Sequence, residues 1–378
     1  MEIYIALKVL WWLLLGVLLM GLAIMVGMDM GVGTILRYVG RTDGERRVAL
    51  NIIGPHWDGN QVWFILGGGA IFAAWPVIYA TAFSGLYVVM LLLLWTMIIR
   101  PVGFEDRSKM VSPAWRNAWD WGLFVSGFVP MLIFGAAVGN ALQGFPYHFE
   151  WNMASVYSGS FISLFNPFAI LAGLLSVSMS IYMGAAMIMN RSEGSLFERS
   201  RKLLTLFGPL ALVLFTVGGI WVANMQGYTL SGANPGADSN PLDPRVAVEV
   251  SSGAWLANFR AAPVLWLLPL VTYLTVILGT LAGRAGKSHF AWWMGALAWI
   301  GILGTVGAAM FPFMMPSSTS PAQSLSVWNA SSSEHTLVWM TVWTVVFVPA
   351  ILAYTSWAFW VMRGKVRTEQ IESDDHAY

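Results

Sequence analysis

Two acidic residues, Asp29 and Asp58, lie inside long apolar stretches of this 378-residue chain. An ionisable side chain at such a place is costly, so each acid is a functional candidate. The neighbours His56, Asn60 and Gln61 supply groups that hold water or pass protons to Asp58. Because burial raises the pKa of a carboxyl group toward neutrality, a proton relay is one interpretation of Asp58.

Both acids also have a structural interpretation. Pro55 interrupts the apolar stretch around Asp58, and an acid three residues later would suit the start of a helix that resumes there. The residue types do not separate this helix cap from a relay. For Asp29, an ion pair or a hydrogen bond to the backbone is favoured over proton transport.

The histidine and cysteine content bears on metal binding. Only one of the five histidines, His56, lies well inside an apolar stretch; the others are His148, His289, His335 and His376. A transmembrane haem takes axial His or Met ligands from facing helices, and one internal histidine is a weak basis for such a site. The chain has no cysteine, which excludes disulfides and thiolate-ligated metals. We predict that this chain itself binds no haem and no other metal.

The elements that must carry these residues are membrane-spanning helices. The chain is 57% hydrophobic and 10% charged, whereas a soluble globular chain carries roughly 25% charged residues. Its net charge of +1 gives no field that would attract a nucleic acid. The sequence therefore predicts an all-α integral membrane protein with about nine transmembrane helices, since a span needs about 20 apolar residues. The nine stretches are 6–36, 50–75, 77–99, 118–142, 162–189, 203–225, 262–282, 288–311 and 336–361.

Basic residues orient these helices. Of the 20 Lys and Arg residues, 17 lie in the 1–2, 3–4, 5–6 and 7–8 connections or after the ninth stretch. The positive-inside rule assigns these segments to the cytoplasm. We therefore predict that the N-terminus is outside and the C-terminus cytoplasmic, with Asp29 and Asp58 both in the cytoplasmic half of the membrane.

The run GPHWDGNQVW at 54–63, followed by GGGAIFAAWP at 67–76, resembles subunit II of the cytochrome bd-type quinol oxidases. Shorter runs extend this resemblance from the first span to the ninth: MDMG at 28–31, AFSG at 82–85, RPVGF at 100–104, GAW at 253–255 and MFPFMMPSS at 310–318. One departure is Val26, where the family often has an acid. This departure favours a relay through the second span over one through the first.

The resemblance implies an architecture of two four-helix bundles plus one peripheral helix in the bacterial cytoplasmic (inner) membrane. On this basis 1–142 form the first bundle. The second bundle covers 143–311 and includes an external loop at 226–261. An external loop, the ninth helix and a cytoplasmic tail occupy 312–378.

The resemblance also implies a partner, a haem-bearing subunit I that carries two b-type haems and one d-type haem. The complex oxidises quinol and reduces O₂ to water with cytoplasmic protons, which builds a proton gradient without a pump. This chain is then the haem-free half and is not catalytic alone. Membrane lipids and small single-span accessory subunits are further expected partners.

Site roles follow from the same resemblance. Asp58 corresponds to the acid on the family's cytoplasmic proton route, and Trp63 to a residue near an apolar oxygen entrance. The same comparison leaves two roles for Asp29, a helper acid or a scaffold residue. Four residues of the same region are candidates for contact with a bound quinone: His56, Trp57, Gln61 and Arg100.

Two other functions stay open at this point. A secondary transporter would show inverted repeats with paired broken helices, but the break at 54–55 has no counterpart beyond 311–312, at the end of a span. A purely structural or assembly subunit would use a buried Asp58 to hold its partner, and the sequence does not separate this role from proton transfer.

Overall fold

The computed structural model describes residues 2–231, 239–367 and 371. The chain there is helical for most of its length. The helices of these residues are α1 (Glu2–Gly21), which continues through a π-helical turn (Leu22–Val26) into α2 (Gly27–Val39), then α3 (Asp43–Asn60), α4 (Val62–Ala74), α5 (Pro76–Gly85), α6 (Tyr87–Asp106), α7 (Pro113–Gln143), α8 (Pro167–Arg191), α9 (Gly194–Asn224), α10 (Ala257–Ala261), α11 (Leu267–Arg284), α12 (Ser288–Met310) and α13 (Glu334–Val361). Four short 3-10 helices lie in the loops: Ile162–Phe165, Ala254–Leu256, Pro263–Trp266 and Pro321–Gln323.

Eight helical stretches of the described chain are long and apolar enough to cross a membrane, with α1 and α2 counting as one. The stretch from α3 to α5 is also apolar enough, but the chain bends by 116° between α4 and α5. If this bent stretch is one span, the described chain has nine crossings. The prediction of an all-α membrane protein with about nine spans is confirmed. The division into bundles at 142 and 311 stays a prediction.

Loops gather at two opposite ends of the helices. At one end, Arg46 binds Asp120 and Arg199 binds Glu45, so the 1–2, 3–4 and 5–6 connections meet there. We call this the arginine-rich end. Because each span takes the chain to the opposite side, the 2–3, 4–5, 6–7 and 8–9 connections lie at the other end. Two of them contact each other there: the indole of Trp255 donates to the carbonyl of Leu142.

The loops at that other end carry three two-stranded antiparallel sheets. Their strands are β1 (Tyr147–Phe149) with β2 (Ser155–Tyr157), β3 (Gln226–Leu230) with β4 (Val248–Ser252), and β5 (Phe313–Met315) with β6 (Leu325–Ser326). Within the predicted loop 226–261, residues 232–238 lie outside the described residues. The same holds for 368–370 and 372–378 of the predicted tail, including His376.

The structure differs from the sequence prediction at two places between residues 50 and 99. Helix α3 does not break at Pro55 and continues to Asn60. A proline inside a helix removes a single hydrogen bond, and the flanking turns keep theirs. Gln61, not Asp58, is the N-terminal cap residue of α4, so the cap interpretation of Asp58 is wrong. The predicted span 77–99 divides after Gly85, where the ring of Tyr157 occupies the space that a Cβ would need.

A close helix contact joins α2 to α8 through Gly31 and Gly184, which face each other's backbone. By contrast, no atom of the described chain lies within 4 Å of a Cβ placed on Gly68 or Gly69 of α4. Small residues let membrane helices approach closely, so the α2–α8 contact fixes the helix that carries Asp29.

Substitution of Gly31 by Ala should destabilise the protein by about 1–3 kcal/mol, because the added methyl group would overlap the carbonyl oxygen of Ser180. The thermal unfolding midpoint of the purified protein measures this effect. Gly16→Ala is the matched control, since nothing lies within 4 Å of a Cβ at that glycine. Equal midpoints for the two variants would contradict the packing described.

Candidate functional site

Asp29 is the acid that the fold buries. Its side chain lies on α2, and 1% of the residue is exposed. Oδ2 accepts a hydrogen bond from Asn60 Nδ2 at the end of α3 (2.8 Å) and lies 3.8 Å from Nη2 of Arg100 on α6. Asp29 therefore makes an ion pair, one of the two structural contacts predicted for it. Asp29 and Arg100 compensate each other's charge, because an unpaired charge inside a span is costly.

Arg100 is held against two aromatic rings. Trp57 and Phe104 stack in parallel with ring centroids 5.0 Å apart. The Arg100 guanidinium carbon lies 5.7 Å from the Trp57 ring centroid and 6.0 Å from that of Phe104. Cation–π attraction at these distances supplies part of the solvation that a buried guanidinium loses.

Several polar atoms of this cluster have no hydrogen-bond partner within the described chain. They are Asp29 Oδ1, both Nη atoms of Arg100, Trp57 Nε1 and Gln61 Oε1. Buried polar groups are nearly always hydrogen-bonded, so the cluster keeps its capacity to bind ordered water or a polar group of another chain. We call Asp29, Trp57, Asn60, Gln61 and Arg100 the buried polar cluster.

Asp58 lies outside the buried polar cluster. Residues 58 and 60 are about 200° apart on a helix, so Asp58 points away when Asn60 points inward. Asp58 is exposed on this chain, and its carboxylate makes no ion pair or hydrogen bond within the described residues. The structure thus separates the two acids that the sequence analysis grouped together.

His56 and Trp63 also lie apart from the ion pair. His56 is buried, with Nε2 2.9 Å from Arg191 Nη1 and its ring 4.3 Å from that of Phe359. Trp63 is buried in an apolar cluster with Trp11 and residues of α1, and its ring fills the space beside Gly21. Gln61 stays on its own helix, where Nε2 donates to the carbonyl of Trp57 at 3.3 Å.

An ionic network at the arginine-rich end escaped the sequence analysis. Asp120 is fully buried and accepts from Arg107 Nε at 2.6 Å and from Arg46 Nη1 at 2.7 Å. Arg107 also binds Asp43, which in turn binds Arg116. The available signal in the sequence was an acid, Asp120, near the start of the predicted span 118–142. Its ion pairs hold the ends of α3, α6 and α7 together.

An apolar cavity of about 580 Å³ lies between α7, α8, α9 and α12. Phe134, Phe168, Phe215 and Trp299 are among its lining residues, and none of the predicted quinone-contact residues lines it. Among the described residues, no three His, Cys, Asp or Glu side chains are grouped closely enough to hold a metal ion.

Comparison with known proteins identifies the family. The family model described as cytochrome bd terminal oxidase subunit II matches residues 7–362. The chain is 47% identical to the cytochrome bd-I ubiquinol oxidase subunit 2 of Escherichia coli K12 over 376 residues, which cover 99% of each chain. It is 43% identical to a probable cytochrome oxidase subunit 2 of Haemophilus influenzae over 99% of each chain.

The fold is also similar to that of a solved structure. The bd oxidase from Geobacillus thermodenitrificans aligns with a TM-score of 0.69 and 15% identity, covering 94% of this chain and 98% of that one. The chain is therefore a member of the cytochrome bd terminal oxidase subunit II family, and so a multi-pass subunit of a respiratory quinol:O₂ oxidoreductase in the bacterial inner membrane.

Proposed function

We propose that this subunit provides the oxidase with a route for cytoplasmic protons, in which Asp58 takes up protons and Asp29 is a helper acid. The observation that carries the proposal is that the carboxylate of Asp58 is exposed and makes no ion pair or hydrogen bond with the residues that the structure describes. It lies eleven residues beyond Arg47, or about 16 Å along the helix. A carboxylate facing lipid at that depth would be costly, so it faces water or another protein chain.

The surface around Asp58 suits a protein partner. Along α3 and α4, Gly59, Ile65, Gly69 and Phe72 are also exposed. Small and apolar residues of this kind let a second membrane helix pack closely. We assign this surface to subunit I, which would supply the two b-type haems and the d-type haem, and Asp58 would pass its proton toward them.

Access of the other reactants is proposed on chemical grounds. The apolar surroundings of Trp63 suit O₂, which is itself apolar. The unpartnered polar atoms of Trp57, Gln61 and Arg100 suit hydrogen bonds to a quinone head group or to water. Family membership replaces the secondary-transporter alternative, whereas a purely structural role for Asp58 stays open to test.

The Asp58→Asn complex distinguishes proton transfer from assembly. Asn has nearly the same shape but cannot carry a proton. Full haem content with slow oxygen consumption would support the relay. Normal oxygen consumption with full haem content would contradict it, and loss of haem would show that Asp58 holds the complex together instead.

We expect the Asp29→Asn complex to consume oxygen about tenfold more slowly per haem and to be obtained with less haem. The amide still accepts from Asn60, but it carries no proton, and the buried Arg100 guanidinium loses its counter-charge. Oxygen consumption and haem absorption of the purified complex measure the two effects. An unchanged rate would make Asp29 a scaffold residue only.

A further inference from the structure

The chain after α13 crosses the arginine-rich end of α8, and one side chain holds it there. Arg191 donates from Nη2 to the carbonyl of Met362 and from Nε to that of Gly364 (3.2 Å). In return, the backbone N–H of Val366 donates to the carbonyl of Arg191 at 2.9 Å. We call residues 362–367 the strap.

Two more cationic groups bind the strap to the same helix end. Lys365 Nζ donates to the carbonyl of Ser192 at 2.9 Å and to that of Met189 at 3.3 Å. Arg367 lies 3.5 Å from the carboxylate of Glu193. The last carbonyls of a helix lack partners within it and carry partial negative charge, so cations stabilise the strap at this place.

The guanidinium that holds the strap also fixes His56 of the second span. Arg191 Nη1 lies 2.9 Å from His56 Nε2 and donates to the carbonyl of Ile52 at 3.2 Å. A guanidinium only donates, so Nε2 must accept. His56 is then neutral, with its proton on Nδ1, which has no partner within the described chain.

Helix α13 has little other attachment. Leu337 is its only fully buried residue, and there the carbonyl accepts from the Trp11 indole at 3.1 Å. At the opposite end Phe359 packs on His56. We propose that Arg191 is a positioning residue that couples the strap to the second span: it holds α13 in place and keeps His56 a fixed neutral donor that does not carry protons.

Thiol labelling tests the coupling in the intact complex. The chain has no cysteine, so Ser192→Cys gives it a single thiol, at a residue that is 1% exposed beneath the strap. Adding Arg191→Gln should raise the rate of maleimide labelling at least tenfold, and Arg191→Lys should raise it less. Arg199→Gln, at the same end but bound to Glu45, is the control and should not change it. An unchanged rate in both Arg191 variants would overturn the proposal.

The dependence of turnover on pH tests the state of His56, and this readout rests on the proposed role of Asp58. In Arg191→Gln, the guanidinium no longer donates to His56 Nε2, so this nitrogen is free to accept a proton on acidification. Its positive charge would then slow turnover on the acid side. The other charged groups of the strap and of its attachment to α8 are Arg363, Lys365, Arg367 and Glu193.

The double variant Arg191→Gln, His56→Gln should lose this acid limb. The same profile in the single and double variants, with labelling raised, would overturn the fixed tautomer of His56. Labelling itself does not depend on proton transfer, so failure of the Asp58 route would leave the coupling result unaffected.

Discussion

Asp58→Asn should lower oxygen consumption of the purified complex about a hundredfold at full haem content. Positioned acid–base groups typically contribute 10²–10⁴-fold to rate, and the amide cannot take up or release a proton. The fold should be unaffected, because the Asp58 side chain makes no contact that the structure records as an ion pair or hydrogen bond. Oxygen-electrode rates and haem spectra of the same preparation give both values.

Two variants control this experiment. Asp58→Glu keeps the carboxyl group and should retain a rate within about tenfold of the native one, since the added methylene displaces the acid only slightly. Glu198→Gln alters an exposed acid that pairs with Arg201 outside the predicted spans and should leave the rate unchanged. Equal rates for Asp58→Asn and the native complex would remove Asp58 from the route.

Asp120→Ala should destabilise the subunit by about 3–5 kcal/mol and sharply reduce the assembled complex. The side chains of Asp120 and Arg107 are both fully buried. Removal of the carboxylate leaves the buried Arg107 guanidinium beside Arg46 with only the partly exposed Asp43 as a counter-charge. The thermal unfolding midpoint and the yield of assembled complex measure the effect.

Glu198→Ala is the matched control for this prediction. It also removes an acid that binds an arginine, but the side chains of Glu198 and Arg201 are 48% and 39% exposed. An exposed ion pair contributes about 0–1 kcal/mol, so the midpoint should hardly move. A small effect for Asp120→Ala, equal to that of Glu198→Ala, would contradict the buried network.

The spans were predictable because hydropathy and the distribution of arginine reflect the bilayer directly. The breaks were less so. Pro55 removes a hydrogen bond from α3, yet the helix continues to Asn60 and the chain turns at Gln61. Contacts with neighbouring elements decide where such a helix ends, and the local sequence does not show them. Likewise, the division after Gly85 depends on a ring from β2, which is distant in sequence.

The sequence identified the residues of the site but not how they are arranged. Asp29, Asp58 and Arg100 were all identified, but which acid is buried depends on how α2, α3 and α6 are rotated against one another. A local pattern contains no information on that rotation. The arginines of the loops were interpreted only as topology signals, so the pairing of Arg107 with buried Asp120 went unpredicted.

The most direct test of the proton route is the rate of proton uptake from the arginine-rich side of the membrane. Native and Asp58→Asn complexes are reconstituted in vesicles with that side outward, and a pH indicator follows the outer solution during turnover. We predict that proton uptake and oxygen consumption slow together by about a hundredfold in the variant, with full haem content. Proton uptake at the native rate in Asp58→Asn would contradict the account.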